Sequence, residues 1–171
     1  LARERPDVVA GYHFCRHDDP GRRGDPKRML CSLAYQLAQV LPAYRAELEK
    51  LKLTRADLAD GSVFTVTGLF AHLFEGPLGE VARAAPEEDA GRDRRPHRVI
   101  LIDALDECEH GGRNGILDCI KRHFRKLPRW LGVYLTTRPE APITEALKSL
   151  NPQELVPESA ENLQDLRIFF R

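Results

Sequence analysis

The sequence predicts an α/β fold built on a parallel sheet with helices on both faces. Three aliphatic runs, at 8–14, 98–103 and 130–137, have the length and β-branched content of buried strands. Segments of helical periodicity separate these runs, and the alternation of strand and helix favours right-handed crossovers within one sheet. A length of 171 residues is that of about one domain with its own core.

Six segments carry apolar residues at intervals of three and four positions, which is the spacing of one helix face. They predict helices at 25–41, 42–51, 66–84, 116–124, 143–150 and 159–171. The first has Pro26 at its first helical position, which suits proline, and the third is expected to be interrupted at Gly76-Pro77. A fourth strand is predicted at 153–156, and the charged segment 87–98 is interpreted as a solvated loop.

The composition excludes some classes of function. Lys and Arg number 26 and Asp and Glu also 26, so no net field favours nucleic acid or a membrane surface. No apolar run reaches the roughly 18 residues of a membrane-spanning helix. Four cysteines without a CxxC pair indicate reduced thiols in a cytoplasmic protein. The chain begins with Leu1 rather than methionine, so we expect it to be a fragment whose lack of targeting signals means little.

One cysteine and histidine pattern could in principle supply a tetrahedral zinc site. It consists of Cys108 and His110, followed by Cys119 and His123. The first pair does not have a usual zinc spacing, and Cys119 falls on the apolar side of a predicted helix. The pattern therefore favours scattered core and surface residues over a metal site.

Three carboxylates follow the second predicted strand. Asp103 comes directly after the aliphatic run, and Asp106 and Glu107 lie three and four positions further on. Ligands of open α/β sheets bind at the carboxyl ends of the strands, where a carboxylate can hold Mg²⁺ beside nucleotide phosphates. Asp106 or Glu107 could orient or deprotonate a water there. The alternative interpretation is a strand followed by a solvated acidic turn.

The third predicted strand ends in two hydroxyls and a guanidinium. The residues are Thr136, Thr137 and Arg138, and Pro139 ends the strand. A guanidinium at this edge of the sheet could bind a terminal phosphate through paired hydrogen bonds. The alternative is a surface arginine in a strand-to-helix turn.

The two segments together resemble a known family. ILIDALDE followed by YLTTRPE resembles the Walker B and sensor 1 motifs of NACHT domains, in the STAND class of P-loop NTPases. The usual family pattern has glycine where this chain has Ala104. HFCRHDDPGRRGDPKRMLCSLAYQLA resembles the strand, loop and helix of fungal-type NACHT and nephrocystin-like proteins, and LQDLRIFFR resembles the closing helix. The resemblance covers nearly the whole chain.

The resemblance implies a three-layer P-loop NTPase core that is incomplete at its N-terminus, with Walker B at 99–107, sensor 1 at 135–139 and the closing helix at 159–171. It implies that Asp103 holds Mg²⁺ and that Asp106 and Glu107 form the hydrolytic pair, with Glu107 as the base. Arg138 would sense the nucleotide, ATP or GTP, with Thr137 as a second contact. The implied partners are flanking effector and sensor domains and further copies of the protein.

A phosphate-binding loop of the form GxxxxGK[ST] is absent from the sequence. The segment 21–28 imitates one, but Pro26 removes a backbone donor and Arg28 stands where a hydroxyl should hold Mg²⁺. In the family the true loop precedes the strand at 8–14, so we expect it upstream of Leu1 and expect the fragment alone to be inactive.

Three functions remain open at this point. The leading one is a nucleotide-dependent switch that binds ATP or GTP, hydrolyses it slowly and controls self-assembly. The second is a degenerate NTPase fold that serves as a scaffold or interaction module, which the Ala104 departure favours slightly. The third is another P-loop enzyme, such as a kinase or an ABC-type ATPase, and the TTRP turn argues against it.

Overall fold

The computed structural model describes residues 7–54, 57–58, 64–84, 98–155 and 164. The strands are β1 (Val9–Phe14), β2 (Arg98–Asp103), β3 (Glu109–His110), β4 (Arg113–Asn114) and β5 (Leu131–Leu135). The helices are α1 (Pro20–Arg23), α2 (Pro26–Val40), α3 (Pro42–Lys50), α4 (Val66–Phe70), α5 (Gly76–Ala84), α6 (Gly115–His123) and α7 (Ala141–Lys148). A π-helical turn (Ala71–Glu75) joins α4 to α5, and 3-10 turns occupy Leu105–Cys108 and Phe124–Lys126.

A three-stranded parallel sheet forms the centre of the fold and confirms the predicted α/β class. Its strand order is β1-β2-β5, with β2 hydrogen-bonded to both neighbours. A separate antiparallel pair, β3 and β4, follows the end of β2. Because all three strands of the main sheet run in the same direction, the residues that follow them meet at one edge.

Helix α2 packs against β1 and supplies much of the core. It begins where predicted, because the Asp25 carboxylate accepts a hydrogen bond of 2.8 Å from the backbone N–H of Lys27 and so caps the helix. Gly11 allows the close approach, since a Cβ there would lie 3.3 Å from Cδ2 of Leu33. The buried side chains of α2 recur at helical spacing: Met29, Leu30, Leu33, Ala34 and Leu37.

The face of the sheet that α2 covers is buried at β2, although Val133 on the same face of β5 is 36% exposed. The register aligns Gly11 with Ile100, whose side chain is fully buried on the face that α2 covers. On the opposite face the register aligns Tyr12, Leu101 and Tyr134, and Tyr134 is 47% exposed. Parallel sheets are normally covered on both faces. We therefore expect a further layer of protein to pack on this aromatic face.

A polar side chain occupies the outer edge of β1. Nε2 of Gln36 donates to the carbonyl oxygen of Tyr12 at 2.9 Å, and Oε1 of Gln36 accepts from the Tyr12 N–H at 3.0 Å. The amide of Gln36 therefore satisfies the backbone groups that a further strand would otherwise pair with.

The helical segment 66–84 is interrupted before the predicted position. The irregular turn lies at Ala71–Glu75, and α5 runs through Gly76 and Pro77 without a break. Pro77 has no N–H to donate to the carbonyl of Leu73, four positions earlier. The buried hydroxyl of Tyr44 donates to that carbonyl at 2.6 Å instead, so a neighbouring helix replaces the missing bond.

The C-terminal part of the chain departs from expectation. Residues 153–155 form no strand, so the predicted fourth strand is wrong for them. Three other predicted segments lie wholly or mostly outside the described residues. They are Val156 of the predicted fourth strand, the predicted closing helix at 159–171 except for residue 164, and the charged segment 87–98 except for residue 98. Within the described ranges, no helix combines the length and the apolarity needed to cross a membrane.

Candidate functional site

The carboxyl ends of β2 and β5 bring Asp103 and Thr136 together. The register pairs Ile102 with Leu135, so the next residues, Asp103 and Thr136, lie side by side on the same face. Oγ1 of Thr136 donates to Oδ1 of Asp103 at 2.6 Å and accepts from the N–H of Ala104 at 2.9 Å. One hydroxyl thus orients the first carboxylate of the acidic segment and the backbone that follows it.

Ala104 turns the chain back toward β5. Its φ of 56° and ψ of 50° lie in the left-handed region, which favours glycine over residues with a side chain. The carbonyl of Thr136 then accepts from the N–H of Leu105 at 2.9 Å, and a 3-10 turn runs from Leu105 to Cys108. The left-handed residue therefore returns the next two carboxylates to the same sheet edge as Asp103.

Asp106 is engaged with the turn that follows β5. Its Oδ1 accepts from the backbone N–H of Arg138 at 3.1 Å, and its Oδ2 lies 3.4 Å from Nε of Arg138. The Asp106 side chain is 9% exposed, whereas that of Arg138 is 77% exposed. Asp106 is therefore placed to position Arg138 rather than to face solvent.

Glu107 and Thr137 occupy different settings. Glu107 is half-buried, and among the described residues no hydrogen bond or ion pair to its carboxylate is found. Oγ1 of Thr137 donates to the carbonyl of Arg138 at 3.1 Å, within its own turn. The resemblance implies Thr137 as a nucleotide contact, and the structure adds Thr136 as the threonine that contacts Asp103. Register could have indicated this, because Thr136 and Asp103 each follow a paired strand residue directly.

Asn114 was not identified from the sequence. Its Nδ2 donates to the carbonyl of Leu105 at 2.7 Å, while its Oδ1 accepts from the N–H of Leu117 at 2.9 Å and caps α6. The side chain thereby connects the acidic turn to the start of the next helix.

The donor groups at this edge suit a hard cation. Mg²⁺ prefers oxygen ligands, and Asp103 offers a carboxylate oriented by a hydroxyl, with Asp106 and Glu107 following on the same turn. In the segment 21–28, residues 21–23 belong to α1 and the Asp25 carboxylate caps α2. A carboxylate at the N-terminus of α2 takes the place that an anion would otherwise fill.

The zinc pattern considered from the sequence does not assemble. Cys119 and His123 are buried in α6, whereas His110 is exposed on β3, and within the described ranges these three residues form no metal-binding group with Cys108. Burial raises the pKa of the Cys119 thiol to about 12, which is the behaviour of an inert core cysteine.

Cys108 instead lies beside His13 and Cys15, in a group that was not predicted. The sulfurs and one His13 ring nitrogen all lie within 4.8 Å of one another, and all three residues are buried. Hydrogen bonding with Cys15 lowers the pKa of the Cys108 thiol, and His13 lowers it further. The same contact, with burial, raises the pKa of Cys15.

The fold and this edge define a parallel α/β protein with an acidic, hydroxyl-bearing site at the carboxyl ends of its strands. The chain matches the family described as "Nephrocystin 3, N-terminal" over residues 1–138, and it belongs to that family. Comparison with curated proteins and with solved structures gives no match.

Proposed function

We propose that this chain is part of a nucleotide-dependent switch of the NACHT type, in the STAND class of P-loop NTPases. The proposal is carried by one observation: Asp103 with its Thr136 contact, and Asp106 with its Arg138 contact, share the carboxyl edge of β2 and β5. Nucleotides bind at this edge in open α/β sheets. The match to the family described as "Nephrocystin 3, N-terminal" over residues 1–138 is compatible with this proposal. The proposal takes 99–107 as Walker B and 135–139 as sensor 1.

Each residue has a distinct proposed role. Asp103 would hold Mg²⁺, which neutralises charge on ATP or GTP phosphates when bound. Glu107 would act as the base, because its carboxylate has no partner among the described residues. Asp106, assigned from the sequence to the hydrolytic pair, is better suited to positioning Arg138.

Arg138 gives the switch a physical basis. Its guanidinium is 77% exposed and lies against Asp106. A terminal phosphate carries more charge than one carboxylate and accepts paired hydrogen bonds from a guanidinium, so it would compete with Asp106 for Arg138. That exchange of partners would alter the turn after β5 and report the nucleotide to neighbouring segments.

The switch would operate within a larger cytoplasmic protein. The aromatic face with Tyr12, Leu101 and Tyr134 is incompletely covered by the described helices, which suits a sheet that packs against further chain. We expect effector and sensor domains to flank the module and expect it to self-associate when activated.

A scaffold without turnover is the second candidate. It is favoured by Ala104, which adopts a strained left-handed conformation, and by Asp106, which is already satisfied by Arg138. A scaffold would keep the fold and its interactions but bind no nucleotide.

Binding and turnover by the full-length parent protein distinguish the two candidates. Fluorescent ATP and GTP are titrated with and without Mg²⁺, and hydrolysis is followed by phosphate release. Asp103→Asn is expected to weaken Mg²⁺-dependent binding at least about tenfold, whereas Glu107→Gln is expected to preserve binding and abolish hydrolysis. The matched control is Glu109→Gln, an exposed acid on β3 that should change neither.

If the parent protein is well folded and binds neither ATP nor GTP, the switch proposal is refuted and the scaffold function is the one that stands. If the parent protein binds nucleotide and Asp103→Asn leaves the affinity unchanged, the assigned magnesium site is rejected. Circular dichroism of each variant separates loss of binding from loss of fold.

A further inference from the structure

We propose that His13, Cys15 and Cys108 form a binding site for one zinc ion, on the sheet face opposite to Asp103. This site is separate from the proposed nucleotide function and uses none of its residues. The observation that carries it is the convergence of two sulfurs and an imidazole nitrogen within 4.8 Å in a buried position.

The fold brings the three ligands together for simple geometric reasons. His13 and Cys15 are two positions apart at the end of β1, so both side chains point to the same face. The N–H of Cys15 donates to the carbonyl of Asp103 at 3.0 Å, which extends the pairing of β1 with β2 by one residue. Cys108 arrives at this face at the end of the 3-10 turn that follows β2.

The spacing of the three atoms suits tetrahedral zinc. With Zn–S bonds of about 2.3 Å, ligand atoms of a tetrahedral site lie roughly 3.8 Å apart. The present limit of 4.8 Å therefore requires a movement of about 1 Å at most, which rotation of side chains supplies. Two thiolates and an imidazole are soft ligands that select zinc over Mg²⁺, so the site is chemically distinct from the acidic edge.

The carbonyl oxygen of Arg23 contacts two of the three proposed ligands. The carbonyl oxygen of Arg23 lies 2.8 Å from Nε2 of His13 and 3.2 Å from Sγ of Cys108. It can complete the coordination, or it can accept the ring N–H of His13 while a water takes the fourth position, as outer-shell carbonyls commonly do. His13 and Arg23 also line a cavity of about 540 Å³, so the group lies next to a solvent-sized space.

The electrostatic surroundings favour a cation. Zinc binds thiolates, and the group offers two sulfurs that lie within 4.8 Å of each other in a buried position. The carboxylates of Asp103 and Asp106 are close enough to Cys15 to add negative charge to the surroundings of the group. A divalent ion offsets this negative charge, and its binding releases the Cys15 proton to solvent.

Zinc would stabilise the connection between β1 and the acidic turn. Cys108 directly follows Glu107, so a bond from its sulfur to a metal held by β1 residues would restrain the end of the 3-10 turn. Removal of the ion is therefore expected to loosen this turn and to lower the thermal midpoint of the protein.

The test measures metal directly. The protein is purified under reducing conditions without chelator, and its zinc content is determined by elemental analysis. The metal-free protein is then titrated with Co²⁺, whose thiolate charge-transfer and visible bands report sulfur ligands and tetrahedral geometry. About one zinc per chain and a cobalt spectrum with both features are expected.

Matched variants assign the ligands. Cys108→Ser, Cys15→Ser and His13→Asn should each reduce the zinc affinity by about tenfold or more, while Cys119→Ser, which removes an equally buried thiol from α6, should not. Zinc content below about 0.1 per chain, with no thiolate band on cobalt addition, would overturn the proposal; this criterion uses the wild-type protein and does not depend on variant folding. A Cys15–Cys108 disulfide that forms equally fast with and without added zinc would overturn it as well.

Discussion

Replacement of Thr136 by valine tests whether one hydroxyl organises the acidic edge. Valine retains the β-branched shape but removes the oxygen that donates to Asp103 at 2.6 Å and accepts from the Ala104 N–H at 2.9 Å. We expect the free energy of unfolding to fall because both of these polar groups lose a partner in a half-buried position.

The magnitude follows from the two bonds. A hydrogen bond to a charged group contributes about 1.5–3 kcal/mol and one to a backbone amide about 0.5–1.5 kcal/mol. Since the site is only half-buried, solvent replaces part of the loss, and we expect about 2–3 kcal/mol in total. With a urea slope of about 1–3 kcal/mol/M, the midpoint should fall by roughly 1 M.

Urea unfolding followed by circular dichroism measures this change. Thr136→Ser keeps the hydroxyl and should lie within about 1 kcal/mol of wild type. Thr137→Val removes a hydroxyl whose bond stays within its own turn, and it should change stability by less than about 0.5 kcal/mol. The reasoning is refuted if Thr136→Val matches wild type, or if the serine variant is as unstable as the valine variant.

Three further predictions concern other parts of the fold. Ala104→Gly should raise the free energy of unfolding by about 0.5–1 kcal/mol, because a residue at φ 56° is strained unless it is glycine. Tyr44→Phe should lower it by about 1–3 kcal/mol, because the buried carbonyl of Leu73 loses its donor. Burial, with Lys126 and Arg122 adding to it, lowers the pKa of His123 in the folded protein, so the unfolded chain binds the proton more readily. Stability should therefore be greatest above the unfolded pKa of about 6.5 and decline as the pH falls through it, and His123→Gln should reduce this decline.

These expectations are checked by the urea midpoint of each variant. Wild type and His123→Gln are measured at several pH values between about 5 and 8. A less stable Ala104→Gly protein would contradict the left-handed conformation. A fully stable Tyr44→Phe protein would indicate that Leu73 has another donor. An identical pH profile for wild type and His123→Gln would show that His123 does not contribute to the acid sensitivity.

The sequence by itself determined the fold class and the main elements, because these depend on local periodicity. The aliphatic run before Asp103 and the alternation of apolar residues along α2 are visible without any tertiary information. The position of the acidic segment at a strand end was also predictable, because the strand ends where its aliphatic residues end. Local pattern did not place the irregular turn of 66–84, in which the Leu73 carbonyl accepts a hydrogen bond from Tyr44 of another helix.

Only the tertiary structure decided what each site residue contacts. The parallel register selected Thr136 rather than Thr137 as the partner of Asp103, and the left-handed turn at Ala104 directed Asp106 to Arg138. The cluster of His13, Cys15 and Cys108 has no sequence signature, because its members come from the end of β1 and from the 3-10 turn after β2, which are distant in the chain. Spacing in sequence reports neighbours along one element, whereas these contacts arise from the pairing of strands and the reversal of the chain between them.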